Sequence, residues 1–202
     1  MAKILNYAFF ILLLYSCNVN SVQPTGIINT GSFNEFNSVE YVQVQQPVKE
    51  AVIEYPKLTD VYESQIGVRE KTGNNDGVDV EKYLKSTGLG KGNPWCAAFV
   101  HWCLNQAGIK NNITAWSPTA YDKNKIVYKN GWKKEFKPGH VFTLYYANLK
   151  RIGHTGFVNK KVNSTVVETV EGNTNPEGSR EGGGVYKRKR SLNSLYAICD
   201  WY

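Results

Sequence analysis

Apolar residues fall along this chain in four patterns, and each predicts a different kind of segment. From Ala2 to Leu14 they are nearly continuous behind one charge at Lys3, and Leu14-Tyr15-Ser16-Cys17 closes the run. That layout predicts a secretory signal peptide over residues 1–16, too short to span a bilayer comfortably. From 17 to 57 no period is visible: Asn, Val, Gln, Ser and Thr dominate, interrupted by Pro24, Pro47 and Pro56. Such a stretch lacks the large apolar residues of a core and predicts a tether. Its forty residues from 18 to 57 would span roughly 35 Å as a coil. Within it, "VEYVQVQQPV" is the one piece with the alternation to add an edge strand to a neighbouring domain.

From Leu58 the spacing becomes helical. "LTDVYESQIGVRE" predicts a helix stopped by "TGNNDG", and "VDVEKYLKSTG" a second one ended by Gly88. A third is expected with Asn93 as cap, Pro94 in the first position and Gly108 as stop. Phe99, Val100, Cys103, Leu104 and Ala107 recur on it at three- and four-residue intervals, forming an apolar face. "SPTAYDKN" predicts a short helix from Ser117. After Trp132 the period drops towards two. "HVFTLYYA", "GHTGFVNK", "STVVETVEGN", "GVYKRKR" and "LYAICDWY" are short, β-branched and aromatic, and separated by Gly, Asn or Pro. Helices followed by a meander of strands predict an α+β domain over 58–202, N-terminal helices packed on an antiparallel sheet.

Charge narrows the partners. The chain carries a formal net charge of +7, and residues 60–202 hold 21 Lys and Arg against 13 Asp and Glu. Such a surface favours anionic polymers: nucleic acid, membrane surfaces or bacterial cell wall. No nucleic-acid motif is visible and an exported protein rarely meets that partner, so none is expected. The run "KRKR" at 187–190 is read as a solvated strand or loop. Cysteine usage narrows the chemistry. Leu14-Tyr15-Ser16-Cys17 resembles a bacterial lipobox, with Tyr15 bulkier than usual, which would make Cys17 the lipid-bearing residue. The domain then keeps Cys96, Cys103 and Cys199, so at least one thiol stays free in a monomer. No C-x-x-C pair or His-rich spacing suggests zinc.

On the expected third helix Cys96 takes the third position, where unpaired N–H groups and the dipole favour a thiolate. Cys103, two turns on, belongs to the apolar face. A thiol nucleophile needs a base, and the candidates are His101, His140 and His154. His101 turns to another face of the same helix. His140 follows Pro138-Gly139 at a strand start. His154 sits between glycines that allow close approach of another group. On the next strand Glu171 and Asn173 share a parity that Glu168 does not, and an acceptor there would fix the tautomer of an imidazole.

Together "NPWCAAFVHWCLNQAG", "KPGHVF", "RIGHTGFV" and "VEGNTN" resemble the CHAP domain, a papain-like cysteine amidohydrolase module of bacterial cell-wall enzymes. The resemblance covers roughly residues 58–202. It implies Cys96 as nucleophile, His154 as general base and acid, Glu171 as orienting residue and Asn173 as a further polar site residue. The implied substrate is a peptidoglycan amide, either the N-acetylmuramoyl-L-alanine link or a bond within the peptides. Trp95 and Trp116, with Trp102, are candidates to line the groove. Two departures stand out. His140 replaces the usual Asp after Pro-Gly, which reads as structural. "LGKGNPW" lacks the acidic residues with which some relatives bind calcium, and Asp76 and Asp79 suit helix capping better. No metal and no cofactor are expected, and the protein is expected to be an exported, lipid-anchored monomer whose partners are peptidoglycan and the membrane. The rival readings are a catalytically silent wall-binding module and a cysteine amidase for another polymer.

Overall fold

Helical residues come first in the folded chain and strands second, as the change of period predicts. The computed structural model describes residues 56–129, 132–133 and 135–202. The expected signal peptide, Cys17, the "VEYVQVQQPV" strand and the tether up to Tyr55 lie outside the described residues. Those described all fall in the second of two units of the chain, Glu50–Tyr202, and the description concerns that unit alone.

Three helices, α1 (Leu58–Glu63), α2 (Val78–Ser86) and α3 (Cys96–Gln106), precede seven strands. The strands are β1 (Ile126–Lys129), β2 (Trp132–Lys133), β3 (Val141–Tyr146), β4 (Arg151–Lys161), β5 (Val166–Thr174), β6 (Gly184–Ser191) and β7 (Ala197–Cys199). They form one sheet in the order β2-β1-β7-β3-β4-β5-β6, and each neighbouring pair is antiparallel. The α+β class expected from the sequence is the one observed.

Alternation along the strands sorts their side chains between two clusters. Val141, Phe157, Val170, Val185 and Cys199 join the helices in the larger one. Phe142, Leu144, Val158, Val167 and Ile198 join Tyr128, Leu192 and Leu195 in the other. Alternate residues of one strand point to opposite faces, so both faces of the sheet are covered. In the larger cluster Tyr62 stacks on Phe157 at 4.7 Å, and Phe99 meets Phe157 edge-on at 6.0 Å. Each such fully buried ring stabilises the fold by about 1.5–3 kcal/mol.

Helix α3 lies close against β5 because residue 172 is glycine. A Cβ there would sit 2.7 Å from Trp95 Cζ3 and 2.8 Å from Phe99 Cγ. Gly108, in the left-handed region at φ 70°, follows the C-cap Ala107, so the expected stop holds.

Three expectations need correction. The first helix ends at Glu63, not beyond Arg69. Gly67 takes φ 98°, and the chain then runs beside β6, exchanging backbone hydrogen bonds between Gly67, Val68 and Val185. The third helix starts two residues later than Asn93-Pro94 suggests. Trp95 is its N-cap, with no side-chain cap bond, while the Asn93 amide donates to the Gly90 carbonyl at 3.0 Å. Cys96 is therefore the first helical residue rather than the third. Finally, β1 and β2 extend the sheet beyond β7, where no strand is expected from the sequence.

Candidate active site

Helix α3, strand β4 and strand β5 bring three of the expected residues together. Cys96 opens α3, where the N–H groups of the first turn have no intrahelical acceptor and favour negative charge. Its thiol is 2 % exposed and lies 3.3 Å from the Ser117 hydroxyl. Burial alone would push the thiol up. The His154 hydrogen bond and charge, the Ser117 hydroxyl and the Thr155 backbone outweigh it, and the thiol lies below its ordinary value.

His154 is fully buried on β4. Its Nε2 donates to Glu171 Oε2 at 2.8 Å. Because that acceptor is ionised, Nε2 carries the proton, and Nδ1 is the nitrogen left to face the thiol. Nδ1 meets no partner at ordinary hydrogen-bond geometry, yet the imidazole and the Cys96 thiol lie close enough for each to shift the other. Burial would lower the imidazole, but Cys96 and Glu171 raise it to about 9. The lowered thiol and raised imidazole together favour a thiolate–imidazolium pair.

Glu171 is held more firmly than sequence reasoning anticipates. Thr169, two residues back on the same strand face, donates to Oε1 at 2.5 Å. Arg190 then binds it with two prongs, Nε to Oε1 at 2.6 Å and Nη2 to Oε2 at 2.5 Å. Burial would raise this carboxyl; the Arg190 and His154 bonds hold it at about 2. Gly156 makes room for the arrangement. A Cβ there would lie 2.8 Å from the Val170 carbonyl and 3.1 Å from Glu171 Cγ.

Arg190 is the residue that sequence reasoning misses. It is the last of the "KRKR" run, and that run does not behave as one solvated segment. Lys187 and Lys189 are exposed, whereas Arg188 and Arg190 are half-buried in alternation. Arg190 pairs in register with Val167 and reaches along the face that carries Thr169 and Glu171. The available signal is that a buried Glu171 needs a cation and the alternate members of the run can supply one.

Asn173 is placed differently from the expectation. Its backbone takes a left-handed φ of 57°, and the β5–β6 register breaks between Glu171 and Thr174. The two-residue parity that would align it with Glu171 is lost there. Its Nδ2 donates to the Arg180 carbonyl at 3.2 Å and its own carbonyl accepts from Gly182 N. Asn173 thus secures the β5–β6 loop and makes no hydrogen bond to His154 or Glu171.

Trp95 is also corrected. It is fully buried, donates Nε1 to Glu70 Oε1 at 2.8 Å and stacks on Tyr83, so it belongs to the core. Trp102 packs edge-on to Tyr83 with the Lys82 ammonium over its ring. Trp116 is 57 % exposed and lines a cleft of about 240 Å³ with Cys96, Ser117, Asn93 and Pro94. Of the three tryptophans it alone lines that cleft.

The other candidates are elsewhere. His101 bonds Asn111 and Asn105. His140 is buried, accepts from Lys137 N through Nδ1 at 3.2 Å and meets Tyr202 edge-on, a turn-stabilising place. Cys103 is a buried core thiol pushed well up by burial. Asp79 pairs with Lys82, and Asp76 accepts from the Thr72 N–H and hydroxyl inside its loop.

A thiolate beside an imidazolium, opening into a cleft, is equipped for nucleophilic attack on an acyl group followed by proton transfer. Comparison with protein families gives a match over residues 88–173 to the CHAP domain. That span includes Cys96, His154, Glu171 and Asn173 and stops before Arg190. Members of this family are typically cysteine amidohydrolases. No curated protein and no solved structure matched the chain.

Proposed function

We propose that the protein is an exported peptidoglycan hydrolase that cleaves an amide bond through Cys96, His154 and Glu171, a reading supported by the match of residues 88–173 to the CHAP domain. The observation that carries the proposal is a buried Cys96 beside a buried His154 whose Nε2 lies 2.8 Å from the buried Glu171 Oε2, a setting that lowers the thiol and raises the imidazole.

In the proposed reaction the Cys96 thiolate attacks the amide carbonyl carbon. The tetrahedral oxyanion is stabilised at the start of α3, where the Cys96 backbone N–H is free to donate. His154 passes its Nδ1 proton to the leaving amine as the C–N bond breaks, which leaves a thioester on Cys96. The now neutral Nδ1 takes a proton from water; the resulting attack breaks the C–S bond, and acid and regenerated thiolate are the products. Glu171 stays ionised throughout and stabilises each imidazolium. Asn173 acts indirectly, by fixing the β5–β6 loop. The substrate is either the muramoyl–L-alanine amide or a peptide amide, and the basic surface helps hold the domain on an anionic wall. Lipid on Cys17 and a tether over 17–57 would let the domain work at a distance from its membrane.

Digestion of purified peptidoglycan, with products identified by mass spectrometry, tests this reading. Wild type should release a new amine or N-terminus, and the mass of the fragment names the bond. Cys96→Ala should lower the rate by at least about 10³-fold. Equal lysis by the two proteins would refute the mechanism.

A further inference from the structure

The cleft that opens onto Cys96 carries charge for which the proposed chemistry has no use. Arg151, at the start of β4, and Arg180, in the β5–β6 loop, both line it, and no acidic side chain does. Arg151 is half-buried. Its one hydrogen bond runs from Nη1 to the Ile152 carbonyl at 2.8 Å, and among the described residues no carboxylate pairs with it. A guanidinium has five N–H donors, so most of the Arg151 fork is left for a ligand. The contrast with Arg190 is direct: that arginine spends its fork on Glu171. Arg180 is partly neutralised by Glu181 beside it, and its backbone carbonyl is held by Asn173. Trp116 adds an exposed aromatic face to the same cleft.

We infer that this cleft recognises a carboxylate on the substrate, within one or two residues of the amide that Cys96 attacks, with Arg151 as its main contact and Arg180 as its second. The inference rests on the amide-hydrolase reading and adds to it the substrate's charge. A guanidinium fork matches a carboxylate with two parallel hydrogen bonds. Low-dielectric walls concentrate its field where solvent is excluded. Position sets the spacing. Arg151 lies three residues before His154 on β4, at most about 10 Å along the strand, and the register shift between them lets it line the same cleft as Cys96. A cavity of about 240 Å³ takes a short peptide segment, so the anion and the scissile amide belong to one molecule. The cleft therefore prefers peptides with free carboxylates to the same peptides with carboxamides.

Binding tests this without relying on turnover. The Cys96→Ala protein is titrated calorimetrically with two soluble muramyl tetrapeptides, one with free carboxylates and one with the same groups amidated. The free form should bind about tenfold more tightly, as a charge-assisted pair implies. Adding Arg151→Gln should abolish the difference, Arg151→Lys should restore part of it, and Arg180→Gln should reduce it less. Equal affinity for the two peptides, binding of neither, or a preference that survives Arg151→Gln would overturn the inference. The two-peptide comparison needs no arginine variant, so a poorly folding Arg151→Gln leaves the test intact. The two readings fail differently. A hydrolase that cleaves both peptides with equal kcat/KM loses the carboxylate site but keeps its activity, whereas a protein that binds selectively and cleaves nothing loses only the proposed reaction.

Discussion

Burial and charge pull the Cys96 thiol in opposite directions, and which wins decides its chemistry. Cys103 shows what burial does unopposed, since its thiol is pushed well up. At Cys96 the imidazolium, the Ser117 hydroxyl and the Thr155 backbone reverse that outcome. His154 charged in the fold is a stability contribution present below its usual 6.5 and lost as pH rises through about 9. The thiolate, with its lowered value, persists downward into that same range. The active pair thus exists between the lowered thiol value and about 9. A plot of kcat/KM against pH should be bell-shaped, its alkaline limb near 9 and its acid limb below the ordinary thiol value of 9.0. Both limbs belong to the coupled pair rather than to either residue. Activity that only begins to rise at the ordinary thiol value would contradict the ion pair. Arg190→Gln leaves Glu171 buried beside His154 without its cation. Its carboxyl should rise from about 2, kcat/KM should fall roughly 10- to 100-fold, and the acid limb should move upward. A variant that loses thermal stability but keeps the wild-type pH profile would reduce Arg190 to a structural role.

Packing of α3 on β5 sets where the thiol arrives, and Gly172 permits it. Gly172→Ala drives a methyl against Trp95 and Phe99 and should cost about 1–3 kcal/mol, read as a lower urea midpoint with unchanged far-UV circular dichroism. An unchanged midpoint would mean that the helix shifts freely. At this scale the sequence was legible where a signal is local. Strand periods and Gly108 as a stop depend on near neighbours, whereas Cys96, His154 and Glu171 stood out as a set only through the resemblance of several distant motifs taken together. It was illegible where the cause is distant. Trp95 caps α3 without a side-chain bond, so Asn93-Pro94 carries the familiar signal in the wrong place. Asn173 leaves the strand parity because its φ turns positive. Arg190 finds Glu171 only once β5 and β6 are in register, and no spacing within either segment reveals that.

At the scale of the whole molecule, the proposed lipid on Cys17 would give the site its reach and place. Cys17→Ala should move the protein from the membrane to the soluble fraction and remove the mass of a lipid from the mature chain. Unchanged partitioning would count against lipidation. At the same scale, Arg190 lies on β6, an edge strand of the sheet, and outside the family segment that ends at Asn173. A protein engineer grafting residues 88–173 onto another scaffold would therefore carry the Glu171 carboxylate without the Arg190 guanidinium that pairs with it. Removing one partner of a buried ion pair costs about 3–5 kcal/mol, and His154 and Thr169, which travel with the graft, leave Glu171 without its two-pronged cation. The portable unit of this domain is defined by charge balance rather than by sequence likeness, and it extends at least through Ser191.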